Sequence, residues 1–360
     1  MTNISASRYK SHVSFSSNGF HPPEVTCQYA QKEGVLLRSD CLDLLANMKK
    51  DSVDLVFVDP PFNFGKDYQV MGFRDRSLNE EEYRGWCRTW LIELVKILRP
   101  GGALFLYHWP KWLMDLGTWM NSIPTLEYKS WIAVKMKAGF PIKGRVHPAH
   151  YGLLYYTKKG GQATFNVVRS KSPTCRKCGK LLRDYGGYKK TYDRFIDADG
   201  ALWDQISDFW EDTRPARQEK SRDFQVNELP LQIPERAILM ASNPGDVVLD
   251  CFAGGASTLH AAHFAGRYWI GADLGNLTGA LRRLGTIIGK NEESPCHKVL
   301  SCFTDRFRKE VLQVNLTRAR PVKKLDLPSR ADTEENYSPR SKVFDGSVRS
   351  ARVLMKTRRR

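Results

Sequence analysis

Apolar runs of strand length recur along the chain, and three of them end in an acid. Val53-Asp54-Leu55-Val56-Phe57-Val58 is rich in β-branched residues and runs into Asp59. Its near-continuous apolar character predicts a buried strand of a parallel sheet. Val247-Val248-Leu249 before Asp250, and Tyr268-Trp269-Ile270-Gly271-Ala272 before Asp273, read the same way. Val35 to Arg38, Ala103 to Tyr107, Trp131 to Lys135 and Tyr151 to Tyr156 add further strands. Between the strands the period changes. Glu80 to Leu98 places Tyr83, Trp86, Trp90, Leu94 and Ile97 near one face, which predicts a helix packed on a core rather than a base-stacking surface. Cys41 to Met48, Lys111 to Met120, Leu229 to Ser242, Ser257 to Phe264 and Leu277 to Ile288 are predicted helices too. The Leu229 helix starts with a proline. Strands alternating with helices predict an α/β fold with a doubly wound, mostly parallel sheet.

Elsewhere the periodicity fails. Residues 1–33 are polar and predict a poorly ordered arm. Asn63 to Asn79 is polar and Gly-containing. It follows Phe62 directly and is either a loop that closes over the adjoining site or an ordinary surface loop. Residues 160–223 interleave Lys and Arg, among them Lys189, Lys190 and Arg194, with Tyr185, Tyr188, Tyr192 and Phe195. Cations hold phosphates and aromatic rings stack on bases, so this insert is a candidate nucleic-acid surface; the alternative is a solvated basic loop. Within it, Cys175 and Cys178 form Cys-x-x-Cys-Gly, half of a zinc-knuckle signature. The second pair is missing, so zinc competes with a turn bearing two free thiols or a ligand pair shared across a dimer. Residues 318–360 are charged and end in three arginines, which predicts a disordered basic tail. The divisions expected are therefore 1–33, 34–159, 160–223, 224–317 and 318–360.

Charge sharpens the choice of partner. The 360 residues carry a formal net charge of +17, which favours a polyanion, since each neutralised phosphate releases counterions. No apolar run reaches the eighteen or so residues of a membrane helix, and Met1 to Ser17 lacks the apolar core of a signal peptide. Eight cysteines are too sparse for a disulfide scaffold, so reduced thiols and a cytoplasmic location are expected.

The candidate chemistry begins at Asp59-Pro60-Pro61-Phe62. Two prolines fix φ and remove two N–H donors, making a stiff elbow at the carboxyl end of a strand, where ligands bind in open α/β sheets. The Asp59 carboxylate and the Pro60 carbonyl can each accept an N–H while Phe62 stacks, which suits a flat base carrying an exocyclic NH2. Downstream, Asp250-Cys251-Phe252-Ala253-Gly254-Gly255-Ala256-Ser257-Thr258 runs from a strand through a Gly-rich turn into a helix. Asp273 follows at roughly the twenty-residue interval of a carboxylate that holds a ribose diol. The turn has neither Gly-x-Gly-x-x-Gly nor the Lys-Ser/Thr of a phosphate loop, so it fits a nucleoside cofactor without a pyrophosphate.

In this order the stretches resemble the amino-methylating DNA methyltransferases of the β arrangement, the site-specific adenine-N6/cytosine-N4 family. Leu36 to Cys41, Asp208-Phe209-Trp210, read as a turn, and Pro230 to Arg236 add weaker matches, and the likeness covers roughly residues 34 to 290. It implies a Rossmann-like sheet with circularly permuted motifs, and 160–223 as a target-recognition insert. It implies S-adenosylmethionine as cofactor and double-stranded DNA as partner, with a cognate restriction endonuclease as a further partner and a monomer or homodimer left open. Asp59, Pro60, Pro61 and Phe62 become catalytic. Asp40, Cys41, Asp59, Asp250, Phe252, Ala253, Gly254, Gly255, Thr258 and Asp273 become cofactor positions, with Asp40 at the adenine and Asp273 at the ribose. Ile233 departs from the family's usual Lys. Acid at the head of the tetrapeptide goes more often with adenine N6, and cytosine N4 is the alternative. A decayed, non-catalytic DNA-binding protein is a reading of a different class; intact Asp59, Asp250, Gly254 and Asp273 argue against it.

Overall fold

The computed structural model describes residues 25–63, 67–70, 73–74, 78–135, 143–144, 146–172, 175, 177–178, 195–197, 202–213, 229–288, 294–309, 311 and 344–345. In chain order the elements are β1 (Thr26–Gln31), β2 (Gly34–Arg38), α1 (Cys41–Ala46), β3 (Val53–Val58), β4 (Asp67–Val70), β5 (Phe73–Arg74), α2 (Glu80–Ile97), β6 (Leu98–His108), α3 (Pro110–Met120), β7 (Leu126–Lys135) and β8 (His150–Lys158). They continue with β9 (Val168–Lys171), β10 (Phe195–Ile196), β11 (Leu202–Gln205), β12 (Phe209–Trp210), α4 (Gln232–Ala241), β13 (Val247–Asp250), α5 (Ser257–Phe264), β14 (Tyr268–Asp273), α6 (Thr278–Ile287), α7 (His297–Leu300) and β15 (Phe344–Asp345).

The main sheet has nine strands in the order β1-β2-β14-β13-β3-β6-β8-β7-β12. The run from β2 to β6 is parallel throughout, while β1 and β8 run against their neighbours. Side chains of α1, α2, α3 and α7 fill one face, and those of α4, α5 and α6 fill the other. This is the doubly wound arrangement that the alternating periods predict. The stripe on α2 is buried as expected, and Asn79 starts that helix with a capping box closed by Glu82. The seam between β3 and β13 is tied by Asp54, whose carboxylate accepts from the Val247 N–H at 2.7 Å and pairs with Arg99.

Four stretches depart from the sequence expectation. Thr26–Gln31 is an edge strand of the main sheet, not part of a loose arm. Asp67–Val70 and Phe73–Arg74 pair as a hairpin within the expected loop. Phe209–Trp210 is not a turn but a two-residue strand that extends the far edge beside β7. The insert contributes β9, β10 and β11 to a separate antiparallel sheet, and β15 from the tail pairs there with β9.

Candidate functional site

After β3 the chain passes through α2 to β6 on one side. After β13 it passes through α5 to β14 on the other. The β3–β13 border is therefore the topological switch point, where a crevice opens beyond the carboxyl ends of the strands. Leu249 pairs with Val56, so Asp250 comes level with Phe57 and Asp59 follows roughly 7 Å further along.

The Gly-rich turn after β13 is held by its own acids. Asp250 is 2% exposed; its Oδ1 accepts from the Phe252 N–H at 2.9 Å, and the Thr258 hydroxyl donates to the same carboxylate. Burial, with a smaller contribution from the charge on Asp273, pushes the Asp250 carboxyl up to about 7. Asp273 takes the Gly254 N–H on Oδ2 at 2.8 Å and the Gly275 N–H on Oδ1 at 2.7 Å, and burial raises its pKa. Gly254 has φ +46°, a left-handed conformation that glycine adopts without a Cβ penalty. Among the described residues a Cβ there would meet only the Phe252 carbonyl oxygen, at 3.9 Å, which leaves space above the turn. Phe252 turns its ring away, edge-on to Trp86 and Trp90, and offers the turn its backbone.

Asp40 reaches the same edge through a different job. Its Oδ1 caps α1 by accepting from the Leu42 N–H at 2.8 Å, and burial raises its pKa. The Ser39 N–H donates to the Asp273 carbonyl at 3.3 Å, joining the two strand ends. Cys41 is buried, and burial pushes its thiol well up. Thr258 is likewise buried, and Ile233, in the first turn of α4, packs into the core.

The elbow after β3 sits in an aromatic nest. Phe62 stacks on the His108 imidazole with centroids 4.6 Å apart, and it tilts against Tyr107 and Tyr151. Burial, and then the charge on Asp59, raise the pKa of both Tyr107 and Tyr151, so the two phenols stay protonated beside the carboxylate. The Pro61 carbonyl accepts from the Tyr83 hydroxyl, and the Phe62 carbonyl accepts from the Trp112 indole N–H at 3.1 Å. Asn63 closes the elbow at φ +59°, left-handed, a conformation that asparagine tolerates better than most residues. Sequence reasoning did not single out His108, Tyr107 or Tyr151 for the site, and it assigned Tyr83 to the core. The available signal was position: Tyr107 and His108 end β6, the strand beside β3.

A family model described as DNA methylase matches residues 53–277, more than half of the chain, and spans both the elbow and the Gly-rich turn. The chain belongs to the DNA methylase family. Among DNA methylases, the Type II methyltransferase M.BamHI of Bacillus amyloliquefaciens is 41% identical over 243 residues, 68% of this chain and 55% of that protein. The chain thus spans little more than half the length of that relative. The DNA adenine methyltransferase YhdJ of Escherichia coli (strain K12) is 27% identical over 282 residues, 71% of this chain and 84% of that one. The fold is shared with the solved PvuII DNA methyltransferase, described as cytosine-N4-specific. That match has a TM-score of 0.52 at 15% identity and covers 81% of this chain and 94% of the other.

Two further groups of residues are predicted. Lys189, Lys190 and Arg194 lie outside the described residues. Cys175 and Cys178 come together: the Cys178 and Lys177 amides, with a smaller contribution from the Cys178 thiol, hold the Cys175 thiol below its usual range. Among the described residues no group of three or more His, Cys, Asp or Glu is placed to hold a metal ion. No described helix is long and apolar enough to cross a membrane.

Proposed function

We propose that the chain transfers a methyl group from S-adenosylmethionine to the exocyclic amine of a base in double-stranded DNA. The observation that carries this reading is the meeting of two strand ends at the switch point, the Asp59–Phe62 elbow and the turn from Asp250 to Thr258. An amine inside a stacked pair is out of reach, so the base must leave the duplex at a cost of a few kcal/mol. Asp59 and the Pro60 carbonyl accept the two N–H groups, and the ring of Phe62 meets the base. That hold aims the nitrogen lone pair, and the Asp59 carboxylate offsets the positive charge that grows on nitrogen. S-adenosylmethionine, held by the Asp250–Thr258 turn and Asp273, would supply a sulfonium methyl group to that nitrogen, with the electron pair of the broken C–S bond left on sulfur. The amine then releases its surplus proton to Asp59 and on to water. Most of the rate gain comes from holding the partners in line.

The turn suits that cofactor. Its open left-handed Gly254 lets a ligand approach the backbone, and Asp273 keeps further acceptor capacity for ribose hydroxyls beyond the two amides it already holds. Asp250 acts from behind, shaping the turn that meets the methionine end. Asp40, with Cys41 beneath it, borders the adenine.

The acid that heads the tetrapeptide puts adenine N6 first, in line with the name of YhdJ. Cytosine N4 is the second acceptor, because it presents the same NH2 on a planar ring to the same two oxygens. Residues 34–159 and 224–317 are the catalytic and cofactor halves, and residues 160–223 read the bases around the target. A labelled-methyl assay on duplex DNA, followed by hydrolysis and mass spectrometry of the nucleosides, tests the reading. N6-methyladenine is expected; N4-methylcytosine would move the acceptor to the second base, and no methylated nucleoside would overturn the reaction.

A further inference from the structure

Behind the elbow lies a chain of hydrogen bonds whose direction follows from one backbone donor. The Trp109 N–H donates to His108 Nδ1 at 2.7 Å, so that nitrogen carries a lone pair and no proton. His108 is 0% exposed, and burial lowers its pKa to about 3, so the ring is neutral near pH 7. The one ring proton is therefore on Nε2, which stands 2.7 Å from the Tyr83 hydroxyl and donates to it. That hydroxyl, which also meets the buried Cys87 side chain, is left to donate its own proton to the Pro61 carbonyl. Trp109, His108, Tyr83 and Pro61 thus form a one-way relay from the residue that caps α3 through β6 and α2 to the catalytic turn.

The relay acts where the elbow still has freedom. The pyrrolidine rings fix φ at Pro60 and Pro61. Holding the Pro61 carbonyl fixes its ψ, and the Trp112 indole does the same for Phe62. The imidazole also supplies the surface on which the Phe62 ring lies, 22° from parallel. From this geometry we infer that Tyr83, oriented by His108, is a positioning residue that sets the aim of Asp59, Pro60 and Phe62 at the target amine. The inference rests on the methyl-transfer reading. Tyr83 touches neither reacting atom, so its effect falls on the rate of transfer and not on the cofactor turn, which is held by Asp250 and Asp273.

Tyr83→Phe tests this, because it keeps the ring that packs on Trp86 and Trp112 and removes only the hydroxyl. In single turnover with saturating DNA and S-adenosylmethionine, the rate should fall about tenfold or more while the dissociation constant for the cofactor stays within about twofold. His108→Gln keeps an N–H donor toward Tyr83 but loses the ring beneath Phe62, and should retain clearly more of the rate than His108→Leu. His108→Leu should lose at least as much as Tyr83→Phe, and the double variant Tyr83→Phe/His108→Leu no more than His108→Leu alone. If Tyr83→Phe does not fold, the His108 pair carries the test by itself. Nitrogen-15 NMR of the imidazole gives a readout independent of activity: the Nε2–H tautomer at pH 7, with its Nε2 signal shifted in Tyr83→Phe. A wild type that transfers no methyl group would contradict the reaction itself. A wild type that does, matched within about twofold by Tyr83→Phe or with His108→Leu as active as His108→Gln, would contradict the positioning role alone.

Discussion

The two strand ends that meet at the switch point are built on opposite plans. The Gly-rich turn is held by acceptors at two adjacent strand ends: Asp250 takes the Phe252 N–H, and Asp273 at the end of β14 takes those of Gly254 and Gly275. The elbow has few donors of its own, because prolines supply none, and it borrows them from a distance. Tyr83 comes from α2, and His108 and Trp112 come from the end of β6 and from α3. A turn that must follow a ligand's outline keeps its backbone N–H groups and is shaped by the acids that accept them at the strand ends. An elbow that must aim a carboxylate needs supports fixed in the rigid layers of the sheet and its helices.

This contrast can be broken first at its strongest point. Asp59→Ala should reduce single-turnover methyl transfer by more than about a hundredfold. A rate within about tenfold of wild type, or roughly 1.4 kcal/mol of barrier, would remove Asp59 from the chemistry.

A smaller loss is expected at the turn. Asp273→Ala leaves the Gly254 and Gly275 amides without an acceptor and should weaken cofactor binding by about 1–3 kcal/mol, read by calorimetry on the folded variant. Unchanged affinity would mean that the turn keeps its shape without Asp273.

The buried charge of Asp250 gives a pH signature. Its folded pKa of about 7 lies above the ordinary carboxylate value, so the native state takes up a proton between about pH 7 and 4 that the unfolded chain does not. Asp250 therefore adds stability as pH falls through that window. His108, lowered to about 3, works the other way, because the unfolded chain protonates near 6.5 and the native state does not. Asp250→Asn removes only the first contribution. Its stability without cofactor should fall toward acid more steeply than that of wild type, by about 1 kcal/mol per pH unit in urea melts between pH 7 and 4. Parallel curves would show that Asp250 is not buried as a shifted acid.

The smallest effect concerns DNA. Lys189→Ala or Lys190→Ala should weaken binding to all sequences alike and reduce the salt slope by about one, without changing which base is methylated. A changed target position would make either lysine a base reader.

The same contrast explains what could be read in the sequence. β3, β13, β14, the Gly-rich turn and the long helices announced themselves through period, glycine and proline, which are local signals. Asp59 stood out because two prolines follow it. Tyr83 looked like one more member of an apolar stripe, since its hydroxyl finds the Pro61 carbonyl only when α2 folds back on β3. His108 carried no motif. β1 was hidden by Gln28 and Gln31, polar residues on a strand that sits at the sheet edge, and β12 is too short for any period.

The division of labour between the two strand ends is tested most directly by titrating S-adenosylmethionine into Asp59→Ala and Asp273→Ala side by side, each checked for a cooperative melt. Asp59 borders the cofactor but faces the amine, so the elbow variant should bind as wild type does, within about twofold, while the turn variant binds about 1–3 kcal/mol more weakly. Equal losses in both variants, or a loss confined to Asp59→Ala, would contradict it.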